Sequence, residues 1–267
     1  MTDWLVEVMK KISLIEKYTV PAESNFFKLD ANENLVLDRD FLTKITIDSL
    51  KKTDLRKYPI GLYDRLYKKL SDYLDVNIDS LVLGSGSDQI IDLLLTLIGG
   101  GRRLTSIYPT FSYFKTRCQL HGIEVSELKL SLNDNSFDSE KFIEDGKKSH
   151  AAYLCSPNNP TGNQFEKSEI LRIVSSLKNT LVIVDEAYVE FAKYSLIKYV
   201  NKYPNLVILR TFSKGLALAG ARIGYMIANE KLADLFKNRI QLPYAVNSLS
   251  LAIAISLSLI VKRWKRV

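Results

Sequence analysis

Apolar residues along the chain fall into short continuous runs separated by stretches of helical period. After a helical opening segment, Pro21 to Leu37 reads as irregular or extended. A strand-and-helix alternation then begins. Leu81–Leu83 reads as a strand and Gln89–Ile98 as an apolar helix. Thr105–Tyr108 is strand-like, Phe111–Leu120 a helix, and Val125–Leu130 a strand. Ala151–Cys155 is a further strand, which runs into a proline-rich turn before an amphipathic helix over Lys167–Leu177. Leu181–Val184 and Leu206–Arg210 read as continuous apolar strands, the second ending on an arginine, the pattern of parallel strands covered on both faces. This rhythm predicts an α/β fold with a mostly parallel central sheet covered by helices. There is no internal repeat.

Composition narrows the class. With 267 residues, 46% of them hydrophobic, the chain can bury one large core, or one core and a small appendage. Its net charge of +7 comes from scattered basic residues unaccompanied by any recognition motif, so it argues for solvation or attraction of an anionic substrate and against a nucleic-acid partner. Cys118 and Cys155 form no C-x-x-C pair, and His121 and His150 are the only histidines, so no metal centre is expected. The N-terminus shows no secretory signal, and the apolar stretch Leu249–Val261 is too short to span a bilayer comfortably; the expected location is cytoplasmic, with no membrane partner.

The chemistry sits in turns that mostly follow strands, where open α/β sheets collect ligands. Lys214 follows Thr211 and Ser213 and precedes Arg222 by eight positions. An amine, two hydroxyls and a guanidinium suit an aldehyde cofactor that carries a phosphate, although a lysine alone would be an ordinary solvated side chain. Gly84-Ser85-Gly86-Ser87-Asp88-Gln89 joins a strand to a helix, where free helix amides form an anion site. The same residues fit a structural turn capped by Asp88, and they lack the third glycine of a dinucleotide fingerprint and the Gly-Lys-Ser/Thr of a P-loop. Ser156-Pro157-Asn158-Asn159-Pro160-Thr161-Gly162 is a rigid turn that leaves the Asn159 amide at the sheet edge. Asp185 ends a buried apolar strand and, if ionised, needs a cation such as a protonated pyridine nitrogen or several donors; a cap on a following helix is the alternative. Tyr188 lies three residues further on.

Taken together, these motifs resemble the pyridoxal-phosphate-dependent aminotransferases of fold type I, and within them the histidinol-phosphate aminotransferases. The resemblance also covers Leu29-Asp30-Ala31-Asn32-Glu33-Asn34, Lys57-Tyr58-Pro59, Tyr108-Pro109-Thr110-Phe111, Glu186 to Phe191, and Leu242 to Ser248, in order from about Leu29 to about Ser256. It implies pyridoxal 5'-phosphate linked to Lys214, which also shuttles the substrate proton. Asp185 would pair with the pyridine nitrogen, Asn159 and Tyr188 would bond the ring's phenolic oxygen, and Phe111 would stack on the ring. Thr211, Ser213, Arg222 and the amides of Ser87 and Asp88 would hold the phosphate. Tyr58 would reach the cofactor of a second subunit, so a homodimer is expected.

The substrates implied are L-histidinol phosphate as amino donor and 2-oxoglutarate as 2-oxo acid. Threonine-phosphate decarboxylase, an aromatic aminotransferase or a non-catalytic cofactor-binding remnant are the rivals. The expected organisation is an N-terminal segment (1–30) belonging to a small domain or dimer arm, a large cofactor domain (31–256) and an atypical tail (257–267). The C-terminal small domain of the family would be largely missing. The continuation Asn34-Leu35-Val36-Leu37 also departs from the family's proline- and glycine-rich pattern there.

Overall fold

A computed structural model describes residues 3–15 and 29–261. The first part of the stretch expected to be irregular from Pro21, and the end of the basic tail, lie outside the described residues. The elements in chain order are α1 (Asp3–Ser13), α2 (Arg39–Lys51), α3 (Ile60–Leu74), β1 (Leu81–Gly84), α4 (Gly86–Ile98), β2 (Arg103–Tyr108), α5 (Ser112–Leu120) and β3 (Glu124–Lys129). There follow α6 (Ser139–Lys147), β4 (Ala151–Cys155), α7 (Lys167–Ser176), β5 (Leu181–Asp185), β6 (Leu206–Thr211), β7 (Gly224–Ala228), α8 (Glu230–Leu235) and α9 (Ser248–Val261). The strands form one sheet in the order β1-β7-β6-β5-β4-β2-β3. All neighbours are parallel except β7, which runs antiparallel to both β1 and β6.

The apolar runs of β4, β5 and β6 are explained by burial on both faces. Val182 and Val184 point into one core with Leu206 and Ile208, and Ile183 points into the other with Val207 and Leu209. The first core is closed by α2, α3, α6, α7 and α9; the second by α4, α5 and α8. The apolar stretch from Leu249 is part of helix α9, whose Leu251, Ala254 and Ile255 are buried and which packs on α2 and α3. A helix that is apolar nearly all round belongs in a core. Among the described residues, no helix is long and apolar enough to cross a membrane.

Strand order reverses between β2 and β4, since the chain builds outward to β3 on one side and through β5 and β6 on the other. The turns after β2 and β4, which carry Phe111 and Asn159, therefore flank the switch point where an open sheet offers a crevice.

Beside that crevice, a buried ion pair fixes the ends of β5 and β6. Glu186, directly after β5, accepts from Arg210 Nε at 3.1 Å and Nη2 at 2.9 Å, from Ser195 Oγ at 2.8 Å and from the Leu196 amide at 2.7 Å. Both charges are almost fully buried, and the guanidinium is held charged against its desolvation by Tyr225 and Glu186. Removing one partner of such a pair costs about 3–5 kcal/mol, because the other charge stays buried and uncompensated. Glu186→Gln is expected to lower the unfolding free energy in urea by that amount. A loss below about 1 kcal/mol would show that the pair does not hold the strand ends.

Candidate active site

Lys214 follows the end of β6 on the segment that leads back to β7. Its amine donates to the Ala31 carbonyl at 2.6 Å and lies 5.8 Å from the centre of the Tyr188 ring. The side chain is half-buried, and burial lowers its pKa. The carboxylates of Asp88 and Glu33 oppose that shift, and Arg222 adds to it. Around the amine lies a cavity of about 420 Å³. Ten of the eleven residues expected from the sequence line it: Ser87, Asp88, Phe111, Asn159, Asp185, Tyr188, Thr211, Ser213, Lys214 and Arg222. They arrive from the start of α4, the connections after β2, β4 and β5, the last residues of β5 and β6, and the segment between β6 and β7.

One end of the cavity is built to receive an anion. Ser87 and Asp88 are in the first turn of α4, whose leading amides have no partner within the helix. Gly224 of β7 brings the sheet against that turn: a Cβ on Gly224 would lie 2.2 Å from the Ser87 amide nitrogen. Gly86 has φ +78°, and a Cβ there would meet Arg222 Nη2 at 2.7 Å. Only glycine tolerates both the close approach and the left-handed backbone. Thr211 Oγ1 donates to Ser213 Oγ at 2.9 Å, and Arg222 Nη2 donates to Asp88 Oδ2 at 2.9 Å. Asp88 is thus an ion-pair partner of Arg222, while Ser85 occupies the helix cap with no side-chain bond. The capping role open for Asp88 in the sequence is not the one it takes.

Another wall is acidic. Asp185 ends β5 with a side chain 3% exposed. Its Oδ2 accepts from the Tyr153 hydroxyl at 2.8 Å and its Oδ1 from the Ala187 amide at 3.0 Å. Burial raises its pKa to about 6, against the lowering effect of those two bonds; Asp88 and Glu186 raise it further. The Ala187 bond closes a local turn rather than capping an α-helix, since only a short 3-10 turn, Val189–Phe191, follows. The carboxylate is therefore buried, half-satisfied and set in the wall of a cavity, an arrangement that favours a cationic ligand.

Tyr58 is the residue the structure sets apart. It is 75% exposed and stacks on Tyr244 with ring centres 4.6 Å apart, and it does not line the cavity of its own chain. Sequence reasoning overlooked Ala31, Asn32, Tyr153 and Cys155 as site residues. Tyr153 and Cys155 share one face of β4 by strand alternation, and Cys155 pairs in register with Asp185. That alternation was readable. The approach of residues 30–33 to Lys214 spans more than 180 positions and carried no local signal.

The pattern of the class I and II aminotransferases matches residues 24–259. The chain is 37% identical to the histidinol-phosphate aminotransferase of Pyrococcus furiosus over 250 residues, covering 94% of this chain and 72% of that protein. It is also 37% identical to that of Ruminiclostridium cellulolyticum over 228 residues, covering 84% of this chain and 63% of the relative. The crystal structure of histidinol-phosphate aminotransferase from Sinorhizobium meliloti in complex with pyridoxal-5'-phosphate superposes with a TM-score of 0.80 at 24% identity. That match covers 88% of this chain and 64% of the other, and it bears on the fold alone. The chain belongs to the class I and II aminotransferase family. Its fold is the fold type I architecture of pyridoxal-phosphate-dependent transferases, and it spans roughly two thirds of the length of the relatives it matches.

The raised pKa of Asp185 gives a stability prediction. A group whose folded pKa of about 6 exceeds its unfolded value near 3.9 contributes stability that is full below pH 4 and lost as pH rises through 6. Two pKa units correspond to about 3 kcal/mol, of which about 1 returns if the Tyr153 bond is lost. At pH 8 the ligand-free Asp185→Asn variant is expected to be about 2 kcal/mol more stable than wild type, with the gap closing toward pH 4. A variant less stable than wild type at pH 8 would contradict the placement of a strained carboxylate.

Proposed function

We propose that the protein binds pyridoxal 5'-phosphate in the cavity around Lys214 and transfers an amino group between L-histidinol phosphate and 2-oxoglutarate. The observation that carries the cofactor is the convergence of ten residues, drawn from separate turns, on one cavity with an anion cup, a buried carboxylate and an amine of lowered pKa. The donor rests on the name shared by the relatives at 32–37% identity, and 2-oxoglutarate as acceptor on the family resemblance of the motifs. A cytoplasmic enzyme of small molecules, acting as a homodimer, completes the proposal.

The residues fit the cofactor. When bound, it supplies an electron sink for the bond-breaking step. Asp185 offers the anion that keeps a pyridine nitrogen protonated, and a cation placed there would in turn hold Asp185 ionised. Thr211, Ser213, Arg222 and the α4 amides hold the phosphate. The Asp88–Arg222 pair is exposed enough to contribute little by itself, so the guanidinium can be re-aimed at small cost. Phe111, Asn159 and Tyr188 line the same cavity; the first would offer an apolar ring to stack on the cofactor, and the other two would offer polar groups to its phenolic oxygen. The Lys214 amine, biased by burial toward its neutral form, would hold and move the proton of the substrate α-carbon. Tyr58, outside its own chain's cavity, is free to reach the cofactor phosphate of a second copy.

Adding pyridoxal phosphate should give a visible absorption band. Borohydride reduction should fix the cofactor on the peptide that contains Lys214. With each candidate amine in turn, L-histidinol phosphate should change that band fastest, and threonine phosphate and aromatic amino acids slowly. Lys214→Ala should lose the label and at least 10²–10⁴-fold of the rate. A label on another lysine, or faster reaction with threonine phosphate, would overturn the assignment.

A further inference from the structure

The segment Asp30–Glu33 lines the cavity opposite the sheet, and Asn32 also lines the two neighbouring cavities of about 850 and 360 Å³. Its backbone has φ +50°, in the left-handed region that few residues other than glycine occupy and that asparagine enters most readily. This turn sends two hydrogen bonds into the site. The carbonyl of Ala31 accepts from the Lys214 amine at 2.6 Å, and Asn32 Nδ2 donates to the Tyr188 hydroxyl oxygen at 2.9 Å. A phenol that already accepts a proton from an amide keeps its own proton for a different acceptor. Tyr188 itself lines the cofactor cavity.

We infer that Asn32 is a positioning residue, which by donating to Tyr188 commits the phenol proton to an acceptor within the cavity. The inference rests on the reading of that cavity as the pyridoxal-phosphate site. There the acceptor is the phenolic oxygen of the ring, and a donor to that oxygen favours its ionised form. The Asn32 bond also opposes the rise that burial imposes on the Tyr188 pKa. The left-handed turn has a second consequence. It ties the phenol and the catalytic amine to one backbone step, so both are placed by the same two residues.

Other groups face the pair. Asp88, Glu33 and Arg222 act on Lys214, and Asp185 and Cys155 on Tyr188. A shift in the pH midpoint of the cofactor band after a change at Asn32 therefore has to be shown to pass through Tyr188. Asn32→Gly keeps the positive φ and removes the donor to Tyr188. It is expected to raise that midpoint by about half a unit, roughly threefold in proton affinity, and to weaken pyridoxal phosphate binding about 3- to 10-fold. Tyr188→Phe should raise the midpoint further, and Asn32→Gly added to Tyr188→Phe should change nothing more.

An unchanged midpoint in Asn32→Gly, or shifts that simply add in the double variant, would overturn the inference while leaving the cofactor reading intact. A wild-type protein that gives no band would remove the cofactor reading and the inference with it.

Discussion

Two carboxylates leave the end of β5 side by side, and the protein treats them in opposite ways. Glu186 receives a guanidinium, a hydroxyl and a backbone amide, and is fully compensated although 2% exposed. Asp185 receives a phenol and one amide but, among the described residues, no cation, and burial raises its pKa to about 6. Near neutral pH the ligand-free protein therefore carries a buried negative charge that is partly unsatisfied. Tolerating such a group makes physical sense where a ligand brings the missing positive charge. The ion pair next door keeps the strand end rigid, so Asp185 is held at a fixed place in the cavity wall.

The same economy runs through the rest of the site. Gly224 permits an approach of backbone to backbone that no side chain would allow, and this brings the start of α4 against β7, while Gly86 supplies the left-handed backbone beside the Arg222 guanidinium. Arg222, itself at φ +51°, reaches across to Asp88. Lys214 is surrounded by charges of both signs, so burial decides the direction of its shift. None of these features needs a large core rearrangement when a ligand enters, because each polar group already faces the cavity.

Much of this was legible in the sequence. The runs in β5 and β6 announced a parallel sheet because residues facing either side meet apolar layers, and the motifs fell in turns because strands end where the apolar runs stop. β7 was missed: Gly224–Ala228 is a five-residue strand that runs antiparallel, against the expected rhythm. Asp88 and Asp185 each allowed a capping reading, which only the partners of their carboxylates could exclude. Asn32 lay inside a motif that the resemblance picked out, but its bond to Tyr188 joins residues 156 positions apart. A contact of that range depends on the fold and leaves no periodic trace in the chain. Tyr58 gave a different difficulty, since a residue proposed to act in a second subunit has no partner to be read within one sequence.

The most direct test of the central claim is the ¹⁵N chemical shift of ring-labelled pyridoxal phosphate bound to the protein near pH 8. If Asp185 is the anion waiting for a cation, the bound pyridine nitrogen should report a protonated ring in wild type and a neutral one in Asp185→Asn. A neutral ring in the wild-type protein would contradict the account.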